Sequence, residues 1–293
     1  MAAELSAEQR IQRYRREKTI GRVITYVFLT LIGIIMVYPL LWIVSASFKT
    51  NNEIFSSASL IPKEVLWNGF ADGWKGVGQY SFAVFFANTF KMVIPTVFFT
   101  VISSLLVAYG FARFRFRGKK ILLGLVIASL MLPNEVIIIP RYMVFNKLGW
   151  LNTYLPFIVP ASLATYSFFI FMLVQYIRSI PRELDESAHI DGCGSFRILI
   201  SIIIPLCIPS IVSCTIFQFV WRWNDFINPL IFLSSVKKYT VSLALRMTLD
   251  VTDTIAWNQT MAMSVLSMLP PVLLYFLSQK YFVEGVTTTG LKG

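Results

Sequence analysis

The residues of this chain that could do chemistry are concentrated in one short polar segment, ESAHIDG at 186–192, between two long apolar stretches. Pro181 can begin a helix there, and Glu183 and Glu186 would then fall in its first turns, where the helix dipole favours acids. An exposed acidic surface of this kind pairs with a basic partner and guides docking. The segment therefore predicts a docking site rather than a reaction centre.

Glycine and proline set the shape expected for the same region. Gly192 permits a sharp turn that a side chain would obstruct, Arg197 begins the return, and Pro205 lies just inside the next apolar stretch. We expect two short helices at an angle, forming an acidic loop at residues 178–205. An ordinary polar connector with capped helices is the alternative.

No constellation for covalent or metal chemistry is visible in the sequence. There is no Walker-type Gly-rich loop and no nucleophile–base set, so we do not expect an enzyme. Cys193, Cys207 and Cys214 make no disulfide framework, and His189 has no partner at metal-ligand spacing. We expect no metal site and no cofactor bound by this chain.

The elements that must position the acidic loop are membrane-spanning helices. The chain of 293 residues is 56% hydrophobic and 14% charged, whereas soluble domains carry about 25% charged residues. Apolar runs recur that can cross a hydrocarbon core of about 30 Å, and only helices satisfy their backbone groups there. We predict an all-α membrane protein with six transmembrane helices, near residues 22–47, 88–112, 121–139, 154–177, 198–221 and 260–279.

The net charge of +11 is distributed by side of the membrane. Lys and Arg are concentrated in the N-terminal tail, in ARFRFRGKK at 112–120 and around the acidic loop. Cytoplasmic loops carry such an excess, so both termini and the acidic loop are expected in the cytoplasm. The predicted organisation is a cytoplasmic tail at 1–21, a transmembrane domain at 22–282 and a cytoplasmic tail at 283–293.

The cores of the predicted spans carry almost no ionisable residue. Among these cores, only that of the third span holds one, Glu135, near its outer end. Proton- or sodium-coupled carriers usually need ionisable or coordinating groups at mid-membrane, which disfavours a secondary transporter. That alternative stays open, as does a membrane receptor or assembly factor with no transport role.

The acidic loop resembles the EAA loop of ABC-importer permeases, whose pattern is Glu-Ala-Ala, three residues, Gly, nine residues and Ile-x-Leu-Pro. Glu186 begins the match, nine residues separate Gly192 from Ile202, and Pro205 closes it, with Ser187 and Ile204 as departures. Further segments resemble the carbohydrate-uptake permeases of that family: ASFK at 46–49, MLPNE at 131–135, WNDF at 223–226 and QKYFV at 279–283.

The resemblance implies a type I ABC importer permease fold with a cytoplasmic coupling helix, in the bacterial inner membrane. It also implies a homologous second permease, two ATPase subunits that hold ATP and Mg, and an extracytoplasmic solute-binding protein. Glu186 would pair with a basic residue of the ATPase, and Gly192 would let the coupling helix seat in the ATPase cleft. The implied coupling residues are Glu183, Glu186, Ser187, Ala188, Asp191, Gly192 and Pro205.

The substrate expected from the resemblance is a carbohydrate, such as an oligosaccharide. Aromatic faces stack on sugar rings, and a modest outer excess of basic residues favours an acidic saccharide, with Arg222 and Arg246 as its expected contacts. A neutral oligosaccharide, or a non-sugar solute of the same family, is an open alternative. Candidate pathway residues, each of which could instead face lipid or pack between helices, are Tyr109, Tyr166, Phe169, Gln218, Trp221, Arg222, Trp223, Asn224 and Asp225.

Overall fold

The computed structural model describes residues 7–249 and 255–290, with side chains at Arg16, 18–249 and 255–280. Within these ranges the regular elements are helices, which confirms the all-α prediction. They are α1 (Ala7–Ala46), α2 (Asn51–Ser56), α3 (Asn68–Trp74), α4 (Phe82–Arg113), α5 (Lys119–Ser129), α6 (Asn134–Lys147), α7 (Leu155–Ser162), α8 (Ser167–Ser179), α9 (Glu183–Ile190), α10 (Ser195–Ile198), a π-helix (Leu199–Ile203), α11 (Ile204–Leu206), α12 (Ile208–Trp223), α13 (Ile227–Phe232), a 3-10 helix (Val236–Lys238), α14 (Val241–Met247) and α15 (Trp257–Gly290).

Among the described residues, the helices long and apolar enough to cross a membrane number four, or six if two bent pairs each count as one span. The bent pairs are α5 with α6, and the Ser195–Leu206 segment with α12. All of these segments overlap the predicted spans, so the six-helix prediction is met with two of the spans broken. The unbroken candidates are Lys18–Ala46, Phe82–Arg113, Leu155–Ser179 and Trp257–Lys280.

Prolines lie at both breaks. The axis turns by 103° between α5 and α6, where Pro133 is extended and caps the start of α6. It turns by 76° at Cys207, between Pro205 and Pro209. Proline has no N–H and clashes with the preceding turn, so a helix bends or ends there. The spans predicted at 121–139 and 198–221 are therefore not straight helices.

The chain divides into two compact units, and the first comprises residues 1–73 and 256–265. None of the most apolar window of the α1 span is buried within the chain, so that surface requires lipid or another protein around it. At the end of α1 the fully buried Lys49 donates a hydrogen bond to the carbonyl of Ser59. Its ammonium lies 6.0 Å from the ring centre of Trp42.

The second unit, residues 74–255 and 266–293, is built around α4. This helix packs against α7, α8, α12 and α14. Its buried hydroxyl residues are small enough for close approach between helices in a membrane. Thr100 donates to the carbonyl of Thr96 at 2.7 Å, and Ser103 donates to the Ala161 carbonyl of α7 at 2.6 Å. Gln218 of α12 donates to the Thr100 hydroxyl at 2.9 Å, so α4 and α12 are joined by a polar contact.

Asn152 holds two loops of the second unit together. Its φ of 57° lies in the left-handed region, which Asn tolerates better than most residues. Its N–H donates to the Phe232 carbonyl at 2.7 Å, its Nδ2 donates to the Ser235 hydroxyl at 2.8 Å, and its Oδ1 accepts from the Ser235 N–H at 3.1 Å. Nearby, Tyr154 donates to the Lys238 carbonyl at 3.2 Å, and burial raises the pKa of Tyr154 to about 12, which keeps it a donor.

We predict that Asn152→Ala lowers the stability of the second unit. Each lost hydrogen bond contributes about 1 kcal/mol, and the left-handed backbone costs an alanine a further ~1 kcal/mol. Asn152→Gly should be more stable than Asn152→Ala by only the ~1 kcal/mol of backbone strain, because glycine adopts the left-handed conformation but makes no side-chain hydrogen bond. The measurement is thermal unfolding of the purified protein in detergent, with the exposed helical Asn146→Ala as control. Unfolding of Asn152→Ala at the wild-type temperature would contradict this role.

Candidate functional site

The acidic loop begins where α8 ends at Ser179. α9 starts at Glu183, two residues after Pro181, and carries Glu183, Asp185 and Glu186 in its first turn. Acids in this position are stabilised by the positive end of the helix dipole. The predicted helix with an acidic first turn is therefore present, with Pro181 just before it rather than inside it.

Gly192 ends α9 in the way that a left-handed residue ends a helix. Its φ is +79°, its N–H donates to the His189 carbonyl at 3.0 Å, and the Cys193 N–H donates to the Ala188 carbonyl at 2.9 Å. This pair of bonds is the Schellman arrangement, which satisfies carbonyls that a helix end leaves free. No atom lies within 4 Å of where a Cβ would stand at Gly192. The backbone angle, rather than lack of space, is what makes glycine suitable here.

The second half of the loop consists of α10, which continues into the π-helix and α11. The two short helices expected on either side of Gly192 are thus α9 and α10. Pro205 is exposed and lies in the first turn of α11. π-helical turns are rare and are found mostly as local bulges, often at functional sites. The π-helix and the bend at Cys207 together make the return to α12 irregular.

The residues predicted for coupling are nearly all on the surface. Glu183, Glu186, Asp191 and their neighbours Ser187 and Gly192 are exposed, whereas Ala188 is buried under α9. The loop therefore offers carboxylates outward while Ala188 packs inward.

Apolar side chains that the sequence analysis passed over are also exposed on this loop. Ile190 is 87% exposed and Phe196 is 69% exposed, one on each side of Gly192. Large apolar side chains in a polar, charged segment are the signal that could have identified them, because such a surface is suited to a protein partner. The outward face of the loop thus combines acids with two apolar anchors.

The inward face of the loop is fastened to the end of α4. Arg113 Nε lies 2.6 Å from Asp185 Oδ2, and the two side chains are only 6% and 14% exposed. Arg113 also donates to the Ile180 carbonyl at 3.1 Å, and Arg182 donates to the Ala112 carbonyl at 3.2 Å. Beyond Gly192 a further link follows, from the Tyr109 hydroxyl to the Ser195 carbonyl at 3.0 Å. In the sequence, Arg113 stands out only as part of the basic cluster at 112–120.

Of the candidate pathway residues, several lie inside the core of the second unit. Tyr109 is bound to the acidic loop, Phe169 and Gln218 are fully buried, and Trp223 donates from its indole N–H to the Ser267 carbonyl at 2.9 Å. Each of these side chains has a packing role within the chain.

The remaining candidates are at least partly exposed, and they form a mixed aromatic and charged surface around Arg222. They are Tyr166, Trp221, Arg222, Asn224 and Asp225. Arg222 Nη1 lies 2.8 Å from Asp225 Oδ2, and its guanidinium carbon lies 5.4 Å from the ring centre of Tyr166. The half-exposed Trp221 packs against Phe168, with ring centres 5.1 Å apart. The structure thus brings Tyr166, Arg222 and Asp225 together, while Trp221, the neighbour of Arg222 in the chain, packs on Phe168.

A second cation that sequence analysis missed stands beside this group. Arg141 is close enough to Tyr166, Arg222 and Asp225 to interact with them electrostatically. Its guanidinium carbon lies 5.7 Å from the ring centre of Phe145. Its position just past the span predicted at 121–139 is the signal that could have identified Arg141. It lies on α6, the helix that begins after the bend at Pro133.

The chain was compared with known proteins. It is 34% identical, over 95% of its length and 91% of that protein, to the "Probable ABC transporter permease protein YurM" of Bacillus subtilis. It is 32% identical, over 89% of its length and 93% of that protein, to the arabinooligosaccharides transport system permease protein AraQ of Halalkalibacterium halodurans.

A solved structure has the same fold. The crystal structure of a bacterial ABC transporter involved in the import of the acidic polysaccharide alginate contains a chain that matches with a TM-score of 0.78 at 21% identity, covering 96% of this chain and 100% of that one. The family described as "Binding-protein-dependent transport system inner membrane component" matches residues 101–288, which include α9, α10 and both bent spans. Because this family model matches more than half of the chain and the relatives are similar over most of it, the chain belongs to the family of inner membrane components of binding-protein-dependent transport systems.

Proposed function

We propose that this chain is a permease subunit of an ATP-driven importer, and that the acidic loop docks on the ATPase that powers it. The observation that carries the proposal is the division of α9 into two faces. Glu183, Glu186 and Ile190 face outward, while Asp185 and Ala188 face the protein. An outward acidic and apolar surface, held by buried contacts, is suited to a partner with a basic, partly apolar cleft.

The complete importer contains this chain, a homologous second permease, two ATPase subunits and a solute-binding protein. ATP and Mg are held by the ATPase subunits, and this chain performs no bond chemistry. Both termini and the acidic loop lie on the cytoplasmic side, where the basic residues are concentrated. The transmembrane helices change their packing when the ATPases close on ATP, which exposes the pathway to one side and then the other.

The transported solute is an oligosaccharide. The surface around Arg222 supports this, because Tyr166 and Trp221 supply aromatic faces while Arg222 and Arg141 supply cations. The name of the relative AraQ refers to arabinooligosaccharides, and the transporter with the same fold is involved in import of alginate, an acidic polysaccharide. A neutral and an acidic oligosaccharide are both compatible with this surface.

The test is ATP hydrolysis by the reconstituted complex with its binding protein, against neutral oligosaccharides, uronic oligosaccharides and a non-sugar anion. Stimulation by one saccharide class supports the proposal and identifies the solute. Stimulation by the non-sugar anion alone, or by none of the panel, would contradict the assignment of a saccharide.

We predict that Arg222→Gln lowers stimulation by uronic oligosaccharides more than by neutral ones. The variant removes the cation that would meet a carboxylate, yet glutamine can still donate to Asp225. The loss of one charge-assisted hydrogen bond corresponds to roughly a tenfold rise in the half-saturating concentration. Equal effects on both saccharide classes would remove Arg222 from charge recognition.

We predict that Glu186→Lys weakens binding of the ATPase while leaving the protein folded in the membrane. The side chain is exposed, so reversal of its charge acts on the partner rather than on the core. The measurement is co-purification of the ATPase with this chain. Glu64→Lys, an exposed acid of the first unit, is the matched control. Normal co-purification and hydrolysis with Glu186→Lys would contradict the docking surface.

We predict that Gly192→Val uncouples ATP hydrolysis from transport. A β-branched residue at φ +79° is strained and would displace the turn between α9 and α10. Gly192→Asn should be milder, because Asn adopts left-handed conformations. Gly194→Ala is the matched control, since Gly194 has φ −73° and open space around its Cβ position. Wild-type transport per ATP with Gly192→Val would show that the turn is dispensable.

A further inference from the structure

The acidic loop is clamped to α4 on both sides of its central turn. Before Gly192 the links are the Arg113–Asp185 ion pair and the bond from Arg182 to the Ala112 carbonyl. After Gly192 the link is the bond from Tyr109 to Ser195. A displacement of the loop therefore has to move the end of α4 with it, or break these contacts.

The ion pair is placed where both helices favour it. Arg113 is the last residue of α4, where the dipole stabilises a cation, and Asp185 is in the first turn of α9, where it stabilises an anion. Asp185 and Glu186 are about 100° apart around α9, so one can face α4 while the other faces a partner. Each acid thus has a separate task.

The other exit from the loop lacks such a rigid link. α10 continues into the π-helix, and the axis then bends by 76° at Cys207 before α12 begins. Bends at prolines and π-helices are places where a helix can yield. The connection to α4 is direct and multiple, whereas the connection along the chain to α12 is bent.

α4 carries contacts at its far end as well. Asn88 donates to the carbonyls of Lys237 and Tyr239 at 2.8 and 3.0 Å, and Thr89 accepts from the Val241 N–H at 2.9 Å. The 32 residues of α4 correspond to about 48 Å of helix. One continuous helix, with Pro95 inside it, thus joins the acidic loop to the segment at 237–241.

We infer that the Arg113–Asp185 pair is a positioning link that makes α4 the element through which movement of the acidic loop reaches the opposite side of the membrane. The inference rests on the proposed function. Arg113 and Asp185 contact neither ATP nor solute in this role, and they act by holding the loop against α4.

The decisive variant replaces both partners, R113M with D185L. Removal of one partner alone would leave a buried, unpaired charge, whereas an apolar pair in place of an ion pair is often neutral for stability. We expect the double variant to assemble and to hydrolyse ATP at close to the wild-type basal rate. We expect its solute transport per ATP to fall about tenfold, the usual size of a coupling between distant sites.

The control is Arg117→Met, a basic residue of the loop between α4 and α5 with no partner among the described side chains. A purely structural pair would instead give wild-type transport per ATP in the double variant, which would overturn the inference. If the double variant does not assemble, Asp185→Asn decides, because it removes the charge and leaves an amide oxygen that Arg113 can still face. An unchanged ratio in Asp185→Asn would then overturn the inference, and a lowered ratio would support it.

The wild-type complex separates this inference from the proposed function. If saccharides do not stimulate its ATP hydrolysis, the proposed function fails whatever the variants do. If they do stimulate it and the double variant matches the wild type, only the role of the Arg113–Asp185 pair fails.

Discussion

A hydrocarbon core has no place for an unpaired charge, and this constraint decides where the working parts of the chain lie. The long apolar spans leave ionisable residues to their ends and loops, where Arg113, Asp185, Arg222 and Asp225 form paired contacts. The chain is a multi-pass inner membrane protein of the binding-protein-dependent transport family. In the function proposed above, energy supplied by the ATPase therefore has to enter at one end of the spans and be carried across.

α4 is the helix that connects the polar contacts at the two ends of the spans. The hydroxyls of Thr96, Thr100 and Ser103 return their hydrogen bonds to the helix or to α7, so these polar atoms are buried with their donors satisfied. Gln218 joins it to α12 through Thr100, and loop contacts hold both of its ends. These contacts at both ends are what suits α4 to the transmission role inferred for it above.

Features that depend on local sequence could be predicted. The spans follow from apolar length, the start of α9 follows from its acidic first turn, and the end of α9 follows from Gly192. Features that depend on distant partners could not. The burial of Gln218 requires Thr100, more than a hundred residues earlier, and the pairing of Arg113 with Asp185 requires α4 to pack beside α9. The prolines indicate where the spans bend, but the size of the bend, 103° between α5 and α6, depends on how the helices pack and could not be predicted from the sequence.

Hydrogen–deuterium exchange of the chain, alone and with its ATPase subunits, tests most directly the claim that the acidic loop is the docking surface. The account predicts slower exchange across α9 and α10 when the ATPases bind, with little change in the segment at 223–232. Protection confined to another part of the chain, in a complex shown to be assembled, would contradict it.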